Sequence, residues 1–144
     1  MRFMGEYNHS IDAKGRIIIP ARFREELGER FIVTKGLDGC LWVFSSDEWD
    51  SFSEKLTSLP VAKKDARKLS RFFLAGACEA ETDKMGRILL PQVLRTYAGL
   101  TRDAVLIGAG SRVEIWNRES WENESTFDDV DDLAEQMGDL GFGI

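Results

Sequence analysis

The sequence is poor in the residues that would indicate a disulfide-bonded protein, an enzyme or a membrane protein. Its two cysteines, Cys40 and Cys78, lack CxxC spacing and lie among apolar residues, which favours buried, reduced thiols over a disulfide or metal site. The single histidine, His9, has no Ser or Cys nucleophile pattern around it, so we predict no catalytic residue. Uncharged apolar runs reach only about four residues, whereas a membrane span needs roughly 20.

The beginning of the chain lacks the continuous apolar segment of a signal peptide, because Glu6, Asn8, His9 and Asp12 interrupt it. We therefore expect the chain to stay in the cytoplasm. The sequence Gly108-Ala109-Gly110 lacks the strand-to-helix context of a dinucleotide loop, and the acidic run 128–132 lacks the Gly and Glu of an EF-hand. We predict no cofactor, no metal, no small-molecule substrate and no membrane partner.

Charge is distributed unevenly along the 144 residues, of which 43% are hydrophobic, enough for a core. The net charge is −6, but residues 119–144 contain nine acids and no Lys or Arg, so residues 1–118 carry +3. The first 24 residues also have a local balance of +3. One end of the chain can therefore present a basic face to a polyanion.

An internal repeat organises the chain. Asp12-Ala13-Lys14-Gly15-Arg16-Ile17-Ile18-Ile19-Pro20 matches Asp83-Lys84-Met85-Gly86-Arg87-Ile88-Leu89-Leu90-Pro91 at an offset of 71 residues, with Asp, Gly, Arg and Pro identical. Each Asp-x-x-Gly-Arg predicts a tight turn that leads into a strand.

The remaining signals in each copy predict a short helix, a hairpin and another helix. Pro20 and Pro91 suit a first helical turn, and Gly28 and Gly99 suit its end. Ser45 and Asn117 sit where an N-cap is expected. Between the copies, residues 61–75 have the apolar spacing of a basic amphipathic helix.

Two sets of short strands favour a shared core, so we predict an α+β, β-rich fold with interleaved copies in a small pseudo-twofold β-barrel. We predict four regions: a first repeat over 5–50, a basic linker helix over 51–75, a second repeat over 76–122 and an acidic C-terminal tail over 123–144. Trp42, Trp49, Trp116 and Trp121 recur at strand ends and helix starts, which favours core packing over base stacking.

These motifs, with Gly36-Leu37-Asp38-Gly39-Cys40-Leu41 and Glu114-Ile115-Trp116, resemble the MraZ family over about residues 1–122. The resemblance implies two tandem AbrB-like units with short flanking helices in a swapped-hairpin (double-split) barrel. It also implies a nucleoid-associated transcription factor that forms homo-oligomeric rings of eight or more subunits. Such a factor is expected to bind short direct repeats in double-stranded DNA upstream of the division and cell-wall gene cluster, including its own promoter. The last 22 or so residues have no counterpart in this pattern.

Arg16 is the first candidate for DNA contact, because a guanidinium beside a Gly turn can bind phosphate or guanine bidentately. We expect supporting contacts from the nearby or following cations Lys14, Arg2, Arg22 and Arg24. Asp12, Gly15, Asp83 and Gly86 are predicted to shape and orient the turns. Arg87 is assigned to that structural group, because its copy has Met85 and Val93 where the first has Lys14 and Arg22.

An alternative is an antitoxin-like module that binds a protein partner and contacts DNA secondarily. Its candidate partner surface is an apolar face of the tail, formed by Phe127, Leu133, Met137 and Leu140.

Overall fold

The computed structural model describes residues 2–143 and shows an α+β protein in which two similar sets of elements follow one another. The first set is β1 (Glu6–Ser10), β2 (Arg16–Ile18), α1 (Ala21–Leu27), β3 (Arg30–Lys35), β4 (Leu41–Ser45), α2 (Ser46–Thr57) and α3 (Lys64–Gly76). The second set is β5 (Cys78–Glu81), β6 (Arg87–Leu89), α4 (Gln92–Tyr97), β7 (Asp103–Gly108), β8 (Val113–Asn117), α5 (Arg118–Glu124) and α6 (Val130–Gly138). The predicted order of elements within each repeat is confirmed.

The predicted start signals of the helices are confirmed by their geometry. Pro20 and Pro91 stand immediately before α1 and α4, with φ of −51° and −57°. The side chains of Ser45 and Asn117 accept hydrogen bonds from the main-chain N–H groups of Glu48 and Ser120 at 3.3 and 3.0 Å. These bonds satisfy amide donors that otherwise lack partners at the starts of α2 and α5.

Six strands form one antiparallel sheet in the order β1-β7-β8-β4-β3-β5. The first strand of each copy pairs with the third strand of the other: Tyr7 of β1 lies opposite Leu106 of β7, and Ala80 of β5 lies opposite Phe31 of β3. The central pair, β4 and β8, joins the two hairpins. The order is therefore pseudo-twofold symmetric, and the expectation of interleaved copies is confirmed.

β2 and β6 form a separate two-stranded antiparallel sheet in which Ile17 lies opposite Ile88. We predicted a small pseudo-twofold β-barrel; the hydrogen bonds among residues 2–143 give two separate sheets and no closed barrel, so the barrel detail stays a prediction. β1 and β5 remain edge strands of the larger sheet, because the three-residue strands β2 and β6 bond to each other instead. The observed fold is one open antiparallel sheet of six strands with a small second antiparallel sheet.

The main core contains buried residues of both copies, including Ile17, Phe31, Ile88, Leu106 and Ile115. Since Ile17 and Ile88 belong to the small sheet and the other three to the large sheet, this core joins the two sheets. Neither repeat could bury its apolar residues without the other.

A second cluster of buried aromatic residues includes Trp42, Phe44, Phe73 and Trp116. Trp42 and Trp116 are 8% and 4% exposed, and the half-buried Trp49 and Trp121 pack against the same cluster. The tryptophans therefore serve core packing, as predicted.

The amphipathic helix predicted over 61–75 is observed as α3, over Lys64–Gly76. Its Phe73 is buried, and the buried hydroxyl of Thr34 in β3 donates a hydrogen bond of 2.7 Å to the Phe73 carbonyl. The sequence patterns did not predict α6, which has no buried side chain.

Candidate nucleic-acid interface

The turn between β1 and β2 is closed by Asp12. Its Oδ1 accepts hydrogen bonds from the main-chain N–H groups of Lys14 (3.0 Å) and Arg16 (2.9 Å), and its Oδ2 accepts one from Arg16 Nε at 2.7 Å. Gly15 adopts φ +85°, in the left-handed region that favours glycine. One carboxylate thus shapes the main chain and fixes the arginine.

The turn between β5 and β6 repeats this geometry. Asp83 accepts hydrogen bonds from the N–H groups of Met85 and Arg87 at 2.9 Å each, and from Arg87 Nε at 2.8 Å. Gly86 has φ +77°. The turn-orienting geometry assigned to Asp83, Gly86 and Arg87 is thus the same as that around Arg16.

Hydrogen bonds to the main chain lower the pKa of the Asp12 and Asp83 carboxyls from their ordinary values. The first cause is the N–H of Arg16 or Arg87, which exceeds the opposing effect of partial desolvation; the guanidinium adds to the lowering. Both aspartates are therefore ionised at neutral pH, and each holds its arginine by a charge-assisted hydrogen bond.

The small sheet brings the two arginines to one exposed surface. Arg16 lies opposite Leu89, and Arg87 lies opposite Ile18, so all four side chains share a face, while Ile17 and Ile88 are buried on the other. Arg16 and Arg87 are diagonal neighbours across the ladder. In both arginines the hydrogen bond to the aspartate uses Nε, and neither terminal guanidinium nitrogen has a hydrogen-bond acceptor among residues 2–143. These nitrogens can bind an external anion.

Arg24, which we expected to contribute a supporting DNA contact from the helix after the first turn, lies at the second turn. A Cβ placed on Gly86 would overlap the Arg24 guanidinium. The pairing of β2 with β6 explains this, because the chain leaving β2 passes the turn that enters β6.

Sequence reasoning missed the equivalent residue, Arg95. Its guanidinium Cζ would lie 2.7 Å from a Cβ on Gly15, and its Nε donates to the Leu90 carbonyl at 2.8 Å. The match of Arg24 with Arg95 in the repeat was visible in the sequence. Combined with exchange of strands between copies, it would have placed each arginine at the other copy's turn.

Arg2 and Arg22 lie elsewhere. They share a hollow of about 350 Å³ with Phe23, Glu25 and Glu26 on α1. Arg2 also approaches Glu48 of α2, with 3.6 Å between Nη1 and Oε1. The structure thus groups Arg2 with Arg22 and with acidic neighbours, and it does not bring Arg2 against the turn of Lys14.

The two turns carry more similar charge than their sequences suggested. The first combines Lys14 and Arg16 with Arg95, and the second combines Lys84 and Arg87 with Arg24. The difference lies in the exposed apolar residues, since Met85 occupies the position that corresponds to Lys14 and is 67% exposed. Electrostatics alone therefore gives both turns the character of an anion site.

The remaining chemically reactive groups have structural surroundings. Burial raises the pKa of the Cys40 thiol to about 12, with a further contribution from Glu114, so that this free thiol stays protonated. Burial also lowers the pKa of His9 in β1. Among residues 2–143, no three His, Cys, Asp or Glu side chains are grouped to hold a metal ion. In that same part of the chain, no helix is both long and apolar enough to cross a bilayer.

The two repeats are interleaved, and each displays an arginine held by an aspartate on one exposed face. These features define the class, a tandem-repeat protein with an exposed arginine-bearing surface. A family model described as "MraZ protein, putative antitoxin-like" matches the chain twice, over residues 2–72 and 73–136. The chain belongs to the MraZ family.

Relatives with curated names match almost the whole chain. The transcriptional regulator MraZ of Thermoanaerobacter sp. (strain X514) is 57% identical over 139 residues, which cover 95% of this chain and 97% of that protein. The transcriptional regulator MraZ of Lachnoclostridium phytofermentans is 55% identical over 142 residues, 99% of both chains. The family places the chain among transcriptional regulators and not among enzymes, which confirms the prediction that it has no catalytic role.

A solved structure from Pyrococcus horikoshii, the solution structure of PHS018, is 18% identical, with a TM-score of 0.31, and the match covers 80% of this chain and 89% of that one.

The expected limit of the resemblance near residue 122 is wrong. The second family match extends to residue 136, and the relative from Lachnoclostridium phytofermentans aligns over 99% of this chain. The C-terminal region with α6 therefore has counterparts in related proteins.

Proposed function

We propose that this chain is a sequence-specific DNA-binding regulator whose ligand face is the exposed surface of the small sheet formed by β2 and β6. Its operator is a set of short direct repeats upstream of the division and cell-wall gene cluster, including its own promoter. It works in the cytoplasm in association with the nucleoid. The supporting observation is that Asp12 and Asp83 fix Arg16 and Arg87 on one exposed face through Nε alone.

Arg16 is the principal contact in this proposal, with Lys14 beside it. A guanidinium held by a carboxylate loses little conformational freedom when it binds, and its free terminal nitrogens match phosphate oxygens or guanine O6 and N7. The relative orientation of the two turns is set by the β2–β6 ladder, so both can follow one stretch of DNA. Arg22 and Arg24 are weaker candidates for contacts to the backbone.

Self-association strengthens such contacts. One subunit neutralises only a few phosphates, which gives weak and salt-sensitive binding. A ring of eight or more subunits presents several equivalent faces, and linked contacts raise affinity by roughly 10² to 10⁴ when they engage together. The swapped-hairpin barrel of AbrB-like units, in its full form, belongs to the same proposal.

The test is binding of the purified full chain to duplexes from its own upstream region and to scrambled DNA, at several salt concentrations. We expect a preference for the upstream DNA. Arg16→Ala should weaken that binding by about 10- to 100-fold, the effect of losing one bidentate base contact. If Arg16 binds a phosphate instead, the loss is equal on both DNAs and the salt slope falls by about 0.9.

Arg87→Ala is the internal comparison, and Lys55→Ala, on the exposed surface of α2, is the control for loss of a positive charge. Equal losses for Arg16→Ala and Arg87→Ala would mean that both turns contact DNA. Binding of both variants at the wild-type level, by correctly folded protein, would reject this face as the interface.

A second candidate function, an antitoxin-like protein-interaction module, is favoured by the exposed apolar side chains of α6. The two functions differ in the residues they need. If the cellular effect of the protein survives Arg16→Ala with Arg87→Ala but is lost in Leu133→Glu, the protein-interaction function is the correct one.

A further inference from the structure

The C-terminal helix α6 carries an apolar stripe of exposed side chains, none of which is buried in its own chain. Val130, Leu133 and Met137 are 49%, 42% and 41% exposed, and Leu140, just after the helix, is 79% exposed. Their spacing places them on one helical face. Because α6 has only nine residues, helix propensity alone makes it marginal in water, and it needs packing against another surface for stability. The stripe therefore calls for a partner surface.

A suitable surface lies between α2 and α3 of the first repeat. A hollow of about 350 Å³ there is lined by apolar residues that include Leu56, Leu59, Val61 and Leu74. Ser70 of α3 donates a hydrogen bond to the Leu56 carbonyl of α2 at 3.3 Å, which joins the two helices beside the hollow. Val61 and Leu74 are 76% and 39% exposed, so apolar surface is open to solvent.

The two surfaces carry opposite charge. The hollow is also lined by Arg67 and Arg71, and residues 61–75 contain five basic residues and one acid. Residues 119–144 contain nine acids and no Lys or Arg. The acids of α6 lie mainly away from the stripe, so they act through the long-range field, which favours encounter, while the apolar stripe supplies the contact.

The occupant of the hollow is not the α6 of the same chain, because that helix has no buried residue in the structure. A comparison of the equivalent helices of the two repeats supports the same conclusion. In the first copy the helix that follows α2 covers β3 with Phe73, whereas α6, the second helix after the β7–β8 hairpin, leaves its apolar side chains uncovered. A second copy of the chain has a hollow that can receive the stripe, and the basic residues of that hollow are opposite in charge to the acidic tail.

We propose that the apolar stripe of α6 docks into the α2–α3 hollow of a neighbouring subunit. The two surfaces differ, so the contact is heterologous and each subunit can donate one helix and receive another. Such contacts generate a closed ring, or a filament if the rotation does not close. This inference deepens the self-association in the proposed function and names its surfaces; it does not depend on any contact with DNA.

The test uses two full-length variants, studied without DNA by size exclusion with light scattering. The helix variant, Leu133→Glu with Met137→Glu, keeps its hollow but has a damaged stripe. The hollow variant, Arg71→Glu with Leu74→Glu, keeps its stripe but has a blocked hollow. We expect an oligomer for the wild type, a single-chain mass for each variant alone, and a 1:1 heterodimer when the two are mixed.

Two controls add negative charge without touching either surface; the first matches the helix variant in charge, and the second reverses one basic residue, as Arg71→Glu does. Asn123→Glu with Thr126→Glu adds two acids to the tail and should retain the wild-type mass. Lys55→Glu, which lines a separate hollow with Ser51 and Ser58, should do the same. Raised salt should weaken the heterodimer, since part of its attraction is electrostatic.

The proposal is overturned if the wild type is monomeric, if folded variants keep the wild-type mass, or if the mixture does not associate. If the charge variants fail to fold, disulfide cross-linking tests the same contact. Leu74→Cys with Met137→Cys, oxidised with diamide, should give a ladder of covalently linked chains on a non-reducing gel, and each single substitution should not. A linkage confined to one chain would show docking within the subunit and would also overturn the proposal. Loss of DNA binding with an intact oligomer would reject the DNA function alone.

Discussion

At the scale of single residues, Asp12 and Asp83 determine what the two turns can do. Each carboxylate accepts two main-chain hydrogen bonds and one from an arginine, so the shape of the turn and the position of the guanidinium depend on the same ionised group. Gly15 and Gly86 are buried against Arg95 and Arg24 of the other copy. Turn shape and arginine position are therefore coupled between the repeats.

Acid should loosen both turns. The folded chain holds the pKa of Asp12 and Asp83 below the values of the unfolded chain, so folding favours their charged forms. Their contribution is present above the unfolded pKa and is lost as the pH falls through the lowered folded pKa. Urea unfolding should show that the wild type loses more stability between about pH 5 and pH 2 than Asp12→Asn with Asp83→Asn. Parallel pH profiles for the two proteins would contradict this.

Gly86→Ala should affect both stability and DNA binding. The added Cβ would occupy a left-handed conformation at φ +77° and displace the Arg24 guanidinium. We expect a loss of about 1–2 kcal/mol in unfolding free energy from the backbone and a weaker affinity for upstream DNA. Gly99→Ala is the matched control, because its φ is +63° but nothing lies within 4 Å of its Cβ. The control should lose stability and keep its DNA affinity; equal DNA affinities for the two variants would exclude a role for Arg24.

At the scale of elements, α3 is attached to the sheet by both apolar and polar contacts. Phe73 stacks on Trp42 with 5.4 Å between ring centroids, and the Thr34 hydroxyl binds the carbonyl of the same phenylalanine. The hydrogen bond joins the C-terminal end of β3 to the last turn of α3 and is shielded from water, since Thr34 is fully buried. A buried bond of this kind fixes the position of a helix more sharply than apolar packing does.

Thr34→Val tests that attachment. The valine retains the shape of the side chain but leaves the Phe73 carbonyl without this donor, which should cost about 1–3 kcal/mol of unfolding free energy. Thr57→Val makes the same chemical change where the hydroxyl donates to the Glu54 carbonyl at an exposed site. That control should change stability by less than about 0.5 kcal/mol in the same denaturation experiment. A loss as small for Thr34→Val would mean that another donor replaces the hydroxyl.

The elements also show what sequence patterns can and cannot predict. The turns, the helices after Pro20 and Pro91 and the N-caps Ser45 and Asn117 depend on neighbours in the chain, and all were predictable. The position of Arg24 at Gly86 depends on a pairing between strands about 70 residues apart, which local signals do not specify. The DNA contacts assigned to Arg16 and Lys14 stay predictions.

The two largest differences have separate physical reasons. A pseudo-twofold barrel was expected from the two sets of short strands, but local patterns do not specify which edges pair, and the three-residue strands β2 and β6 bond to each other in a separate sheet. α6 was not predicted, because the acidic composition of the tail favoured a solvated segment, although Val130, Leu133 and Met137 are spaced as on one face of a helix.

At the scale of the whole molecule, exchange of β1 and β5 between the repeats makes the halves depend on one another. β1 completes the hairpin of the second copy, and β5 completes the hairpin of the first. The main core draws on both copies, so opening one repeat exposes apolar residues of the other. Neither repeat is an independent domain in the energetic sense.

The chain should accordingly unfold in one transition. We expect amide hydrogen exchange to give similar opening free energies for the slowest amides of the β3–β4 hairpin and the β7–β8 hairpin. Val33→Ala, in the core of the first copy, should lower both by the same amount. The surface change Lys55→Ala should lower neither. Faster exchange in only one hairpin after Val33→Ala would show that the repeats open separately.

The pseudo-twofold arrangement of strands is one that two identical single-repeat chains could form as a dimer. Such a dimer would dissociate on dilution, whereas the linking segment through α3 keeps the partners together at any protein concentration. In a symmetric dimer every substitution occurs twice. In this chain it occurs once, and so Lys14 can face the ligand from one turn while Met85 occupies the equivalent place in the other. Duplication within one chain thus makes the two turns of a subunit different from each other, whereas the two turns of a symmetric dimer are identical.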